Sequence, residues 1–442
     1  MGEELSLKRA LTTKDLAVYG MCFMIPVAPF AWYGTLVEGA MGMVALGYAI
    51  ALVAMLFTGF SYASMANRFP MGGSVYRYVQ QSTTPALGFL GGWGMMLSYF
   101  FLPAVCYCVG ATFVAALTPS IPAWVWYVIF ILVTGVVALL GIEGSSTVSW
   151  ILFGIQIVGI AIFAVIVFMK VAKGELSINF NGFKNPYEPF NMHGVLGATV
   201  VVVLSYVGFD AISTLADETV KPEKMIGKAV ILSIVLMGVL FSFMAWLCAV
   251  CVPDYRTLTM DESAVLQIFQ TIGGSKLMVL ECAIIVVAFG LSCGLECLIA
   301  STRVIYSMAS DGIFPKVFAK VSKRQVPAVA IVFMMVVSLI QCVVMGLNII
   351  AVITSFGSLI GFMAVNLAVV WKLFIKEKDK TAKGFIKFVV SPLIGFGVCL
   401  FIFVNSDPFC LKFGLVWMII GFLWLLYITR GFKKPCPTLE DI

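Results

Sequence analysis

The chain is predicted to be an all-α integral membrane protein of about twelve spans, on three observations. Of its 442 residues, 61% are hydrophobic and only 11% are charged, with a mean hydropathy of +1.05. A soluble domain carries roughly a quarter charged residues. The apolar residues also fall into long runs, and a spanning helix needs about 20 of them. Lysine and arginine, finally, gather in alternate connections between those runs.

The runs place spans near Ala17–Val37, Met41–Ala66, Pro85–Leu117 and Pro122–Gly141, then Thr147–Val171 and His193–Leu215. The second set lies near Ala229–Val252, Leu277–Ala309, Pro327–Leu347, Ile350–Leu373, Phe388–Val404 and Leu411–Ile428. Met1 to Asp15 is polar and carries Lys8, Arg9 and Lys14. No small-residue cleavage site follows the first apolar run, so that run is expected to be a retained span. An even number of spans puts both termini on one side. That side receives Lys8/Arg9/Lys14, Arg68/Arg77, Lys221/Lys224/Lys228, Lys316/Lys320/Lys323/Arg324, Lys372 through Lys387, and Arg430/Lys433/Lys434, whereas the opposite connections hold few, such as Lys184 and Arg256. The positive-inside rule makes the basic side cytoplasmic, in a cell's inner (plasma) membrane. No soluble domain is left over, and residues 1–442 read as one transmembrane domain. The polar connection from about Ala172 to Met192 separates a first half, about 17–171, from a second, about 193–373, with two further helices over about 388–428.

Two spans carry interruptions. The first reads Ile25-Pro26-Val27-Ala28-Pro29-Phe30-Ala31-Trp32-Tyr33-Gly34, and each proline removes a backbone donor and clashes with a preceding carbonyl. The sixth reads Ser205-Tyr206-Val207-Gly208-Phe209-Asp210, with a glycine and a carboxylate in mid-span. These are the leading helices of the two halves. Matched breaks are what an inverted repeat with a midplane binding site predicts, although prolines and glycines also merely kink membrane helices. Pro26, Val27, Ala28, Trp32, Tyr99, Tyr206 and Gly208 are the candidate substrate-binding residues.

Charges inside a membrane are costly and usually functional. Asp210 is the candidate proton carrier, with capping of the break or contact with a cationic amine as other roles. Glu296 is the remaining substrate-site candidate. It lies seven residues before Arg303, on nearly the same helix face, so that charge compensation between the two and a cation site are both open. Glu281 lies nearer the outer end of that helix and is expected to reach the interface. Ser301 and Thr302 form a candidate ion site, or bond to the preceding turn. The 12 cysteines, among them Cys106 and Cys293, are scattered through apolar stretches, and His193 is the only histidine. No zinc-like spacing appears, so the cysteines are expected to be small buried hydrophobes and no metal is expected. The net charge of +6 follows from the sidedness of the loops and does not point to nucleic acid.

Several motifs together resemble the amino acid–polyamine–organocation superfamily. They are Arg68-Phe69-Pro70-Met71-Gly72-Gly73-Ser74-Val75-Tyr76, Gly91-Gly92-Trp93, Tyr206 to Asp210 with Ala216-Asp217-Glu218-Thr219, Ala300-Ser301-Thr302-Arg303, Asp311-Gly312-Ile313-Phe314-Pro315 and Phe356-Gly357-Ser358-Leu359. The resemblance covers nearly the whole chain. It implies a five-plus-five inverted-repeat (LeuT-like) fold and ion-driven uptake, usually by protons with sodium as the alternative, with no cofactor. It places Asp210 where relatives carry an acidic residue involved in coupling. Pro85, Phe100-Phe101-Leu102-Pro103, Phe209-Asp210-Ala211 and Thr214-Leu215 are most similar to the bacterial putrescine importers, which makes a small amine the first expected substrate and an amino acid the alternative. The chain departs from that branch at Ala31 and Ser98, where aspartates are expected, and at Glu296, where a small residue is expected. It also lacks the span-five lysine of some proton-coupled relatives, carrying Gln156 instead.

A membrane enzyme would need a convergent nucleophile, acid–base pair or metal site, and a single histidine argues against most of these. A nutrient sensor without flux is a further alternative, as is a channel, against which paired helix breaks favour alternating access. The oligomeric state is left open.

Overall fold

The computed structural model describes residues 7–185, 199, 202–259, 264–377 and 381–436. His193 lies outside them. Among the described residues, nine helical stretches are long and apolar enough to cross a bilayer, and two shorter apolar helices, Ala123–Leu139 and Ala328–Val344, stand where the fourth and ninth spans are expected. The sixth span is described only in part, as the 3-10 helices Val203–Tyr206 and Asp210–Glu218.

Local chemistry sets the helix starts. The first span opens with a capping box, in which Thr12 N–H donates to Asp15 Oδ2 at 2.9 Å and the Thr12 hydroxyl oxygen accepts from Asp15 N–H. The third, Pro85–Leu117, has Thr84 as its cap and proline in its first turn, where a missing N–H costs nothing. The twelfth, Pro408–Ile428, repeats this with Asp407.

Three elements differ from expectation. The seventh span is the helix Pro222–Cys251 and so includes Lys224 and Lys228. Hydropathy placed its start after those lysines, but charged side chains at a helix end extend to the interface without ending the helix. The eighth starts after a non-helical break at Gly274 (φ 69°), near the expected Leu277, with a separate helix from Ala264 before the break, and it loosens into a π-helix over Val287–Cys293. Between the second span, Val44–Arg68, and the third lies a short buried helix, Val75–Ser82, that hydropathy alone does not reveal.

The spans pack in two groups. The first, second, sixth and seventh lie against one another, and so do the third, fourth, eighth and ninth. Ring contacts among Tyr62, Phe209 and Phe362 tie the second, sixth and tenth spans together, with Phe209 and Phe362 stacked at 5.2 Å.

Contacts also collect the basic connections on one face. Lys8 bonds Glu143, Arg68 bonds Glu377, and Lys376 Nζ donates to the Ser82 carbonyl. On the opposite face Asn181 Nδ2 donates to the Pro253 carbonyl and Trp246 Nε1 to that of Asn179. Arg77 is not a free loop charge. It is buried in the short helix and forms a two-pronged bond to Asp311, both contacts at 2.8 Å, with Tyr76 and Gln80 also donating to that carboxylate.

Removing one member of a buried ion pair strands the other. Asp311→Ala is therefore expected to cost about 3–5 kcal/mol, read as a lower melting temperature of the purified protein in detergent. The double variant Arg77→Met/Asp311→Leu should recover much of the loss.

Candidate functional site

The first span breaks between the helices Thr13–Met24 and Ala28–Val37. Ile25 takes a φ of 58°, unusual for a β-branched residue. Its N–H turns back to the Cys22 carbonyl at 3.2 Å, and its own carbonyl accepts from Ala28 at 2.8 Å. Pro26 and Pro29 have no N–H to lose, so the break leaves fewer orphaned donors than other residues would.

The sixth span breaks at Val207–Gly208–Phe209. Gly208 has a φ of 131°, and a side chain there would run into the Phe23 ring of the first span. The two breaks therefore touch. Asp210 is wholly buried and organises its break: one carboxylate oxygen accepts from Gly208 N–H at 3.1 Å, the other from the Tyr99 hydroxyl of the third span at 2.6 Å. Capping, one of the roles its position allowed, is what the geometry displays.

Beside the breaks lies a cavity of about 290 Å³. Phe23, Met24, Ile25, Ala28, Trp32 and Leu36 line it from the first span, and Leu102, Val105 and Cys106 from the third. Ser205 and Val207 face it from the sixth span, Phe289 and Cys293 from the eighth, and Thr354, Ser355 and Ser358 from the tenth. No carboxylate is among the described lining residues. The hydroxyls are already engaged: Thr354 donates to the Ile350 carbonyl, Ser355 to that of Ala351, and Ser205 pairs with the Tyr48 hydroxyl. Ser98, where the putrescine-importer pattern expects aspartate, pairs with Ser358 at 2.7 Å and so stands one bond behind the wall. Ala31, the other such position, is buried but does not line the cavity.

Of the sequence-predicted residues, Ala28 and Trp32 line the cavity, while Pro26 and Val27 form the turn at its edge. Tyr99 and Gly208 do not line it and instead bond to Asp210 behind the break. The Tyr206 hydroxyl points away, donating to the Tyr48 carbonyl of the second span at 2.8 Å. Glu296 borders a separate, smaller pocket with Asp15, Tyr19, Ser145 and Ser149, nearer the basic face. Ser149 donates to one of its carboxylate oxygens, and the other has no partner among the described residues.

Compensation between Glu296 and Arg303 does not occur. Two helical turns separate them by about 10 Å, and Arg303 instead grips Glu218 of the sixth span with two bonds of 2.8 and 2.9 Å. Glu281 does not reach the interface. It is fully buried, and neither carboxylate oxygen has a partner among the described residues. Ser301 donates to the carbonyl of Cys297 and Thr302 to that of Ile299, the local bonding allowed for above, and Ser301 also reaches the Tyr99 carbonyl of the third span. Hydropathy and charge missed Phe23, Phe289, Thr354 and Ser355. The one signal for that wall was the small-residue run at Gly357-Ser358.

Similarity to known proteins agrees with this architecture. The family model described as "Amino acid permease" matches residues 17–407. The chain belongs to the amino acid permease family. It is a membrane transporter and not an enzyme. This permease is 29% identical to the low-affinity putrescine importer PlaP of Escherichia coli (strain K12), covering 99% of this chain and 97% of the relative. It is 26% identical to the branched-chain amino acid permease BcaP of Bacillus subtilis (strain 168), covering 98% and 95%. It is 25% identical to the lysine-specific permease LysP of Lactococcus lactis, covering 99% and 93%.

Asp210→Asn keeps an oxygen acceptor for Gly208 and a partner for Tyr99. The variant is expected to fold and reach the membrane yet lose gradient-driven accumulation in proteoliposomes. Normal pH-dependent uptake in it would leave capping as the carboxylate's whole role.

Proposed function

We propose that this permease is a secondary active importer, working by alternating access, of a zwitterionic amino acid with an apolar side chain. The observation that carries the proposal is the cavity wall, which is mostly apolar and, among the described residues, holds no carboxylate. A diamine brings two ammonium groups, and each desolvated charge without a partner is expensive. A zwitterion needs less from side chains. The N-terminal end of Ala28–Val37 favours its carboxylate, and backbone carbonyls at the two breaks suit its ammonium. Phe23, Trp32, Val105 and Phe289 are left to cover an aliphatic side chain.

Import is driven, in this reading, by the proton gradient, with sodium the alternative. Asp210 keeps the role of proton carrier in this reading, and Glu296, with only one of its oxygens bonded, is a second carboxylate suited to take up a proton. The basic face is taken as cytoplasmic by the positive-inside rule, which places both termini inside the cell's plasma membrane.

A second reading, putrescine import, is favoured by the 29% identity to a low-affinity putrescine importer. Flux into proteoliposomes separates the two. Labelled leucine is expected to enter saturably when a proton gradient is applied, and unlabelled putrescine in large excess should leave that uptake unchanged. Saturable putrescine entry with no amino acid flux would replace the first reading by the second. Glu296→Gln is expected to flatten the rise of uptake with falling external pH. An unchanged profile would remove Glu296 from coupling.

A further inference from the structure

One cluster in the cavity wall is unused by the proposed transport mechanism. Cys106 of the third span and Cys293 and Cys297 of the eighth bring three thiols together, with sulfur–sulfur distances of 3.2 Å (Cys106–Cys293), 3.5 Å (Cys293–Cys297) and 3.9 Å (Cys106–Cys297). All three are buried and none is in a disulfide. Their arrangement follows from the fold. Cys293 and Cys297 are four residues apart where the π-helix returns to α-helix, so both face the same neighbour. That neighbour is the third span, which packs along the eighth. Cys106 and Cys293 also line the cavity, which gives an ion a way in from water.

We propose that these three thiols form a binding site for a soft d10 cation, of the class of Cu(I) and Ag(I), and that occupancy arrests transport. The donor set is sulfur alone, which selects soft ions over Mg(II), Ca(II) or Mn(II). Zinc strongly prefers four tetrahedral ligands, and among the described residues the cluster offers three. A trigonal ion with metal–sulfur bonds of about 2.3 Å needs sulfurs about 4.0 Å apart. The observed triangle reaches this by small side-chain rotations. The charge balances as well. Each sulfur that ligates the ion does so as thiolate, its proton leaving to water, and one thiolate balances the charge of the monovalent ion. Affinity is therefore expected to rise with pH.

The link to transport runs through Cys293. Its thiol donates to the Phe23 carbonyl at 3.1 Å, at the end of the first helix of the broken span. Drawing that sulfur onto a metal removes the bond and fixes the cavity wall beside the break.

The test uses Ag(I), which needs no reductant to hold its oxidation state, on purified protein whose thiols have first been reduced and the reductant removed. The wild type is expected to retain one silver ion against a competing thioether ligand. Its silver-edge X-ray absorption should fit three sulfur neighbours, and silver should abolish uptake in proteoliposomes. Cys297→Ser, whose side chain does not line the cavity, should keep uptake in the absence of silver, lose the three-sulfur signature and lose the inhibition. Cys410→Ser, away from the cluster, should behave as wild type throughout. Cys297→Ala, checked for monodispersity, serves if the serine variant misfolds. Equal silver retention by wild type and the Cys297 variant, or a two-sulfur signature in the wild type, would overturn the site. Silver retention and the absorption edge read metal and so stand apart from the identity of the transported solute, whereas the inhibition readout rests on the proposed transport.

Discussion

In hydrocarbon a backbone amide or carbonyl without a partner costs several kcal/mol, about as much as any single favourable contact in the fold. A helix can therefore stop in mid-membrane only where something replaces its lost hydrogen bonds. Asp210 supplies that replacement for the sixth span, holding the Gly208 amide with one oxygen and the third span's Tyr99 with the other. Prolines serve the first span by having fewer donors to satisfy. These two compensated breaks meet, Gly208 against Phe23, and the cavity lies beside them.

A second set of polar contacts gathers near the basic face. Glu218, at the end of the sixth span, accepts two bonds from Arg303 of the eighth, and its carbonyl accepts from Ala10 and Leu11 before the first span. One residue thus ties the two leading helices to the group that holds the third and eighth. In the proposed alternating-access cycle, opening between these helices on this face would separate a buried ion pair, and partial hydration on opening would lower that cost. The carboxylate and guanidinium are then exposed together rather than one being stranded in lipid.

Much of this architecture is legible in the amino-acid sequence. Long apolar runs locate the spans, because the bilayer leaves helices little freedom in length, and Pro26, Pro29, Gly208 and Asp210 mark both breaks through backbone chemistry local to each. The paired arrangement of packed helices agrees with the fold expected from the family motifs. Side-chain direction is not legible. Tyr206 points to the second span rather than the cavity, and Arg303 chooses Glu218 over Glu296, because both outcomes depend on which distant helix lies alongside. The buried helix Val75–Ser82 escapes hydropathy because its length and polarity read as a loop, and the meeting of Cys106 with Cys293 and Cys297 depends on a π-helical turn that no periodicity announces.

The central claim is that the solute binds in the cavity where the breaks meet. Equilibrium binding of labelled leucine to the purified protein, by scintillation proximity, tests it with a variant that fills that space, Ala351→Phe at the start of the tenth span. Saturable binding to the wild type and none to the variant, at unchanged monodispersity and melting temperature, is the predicted result. Undiminished leucine binding to the filled variant would place the transport site elsewhere and contradict the claim.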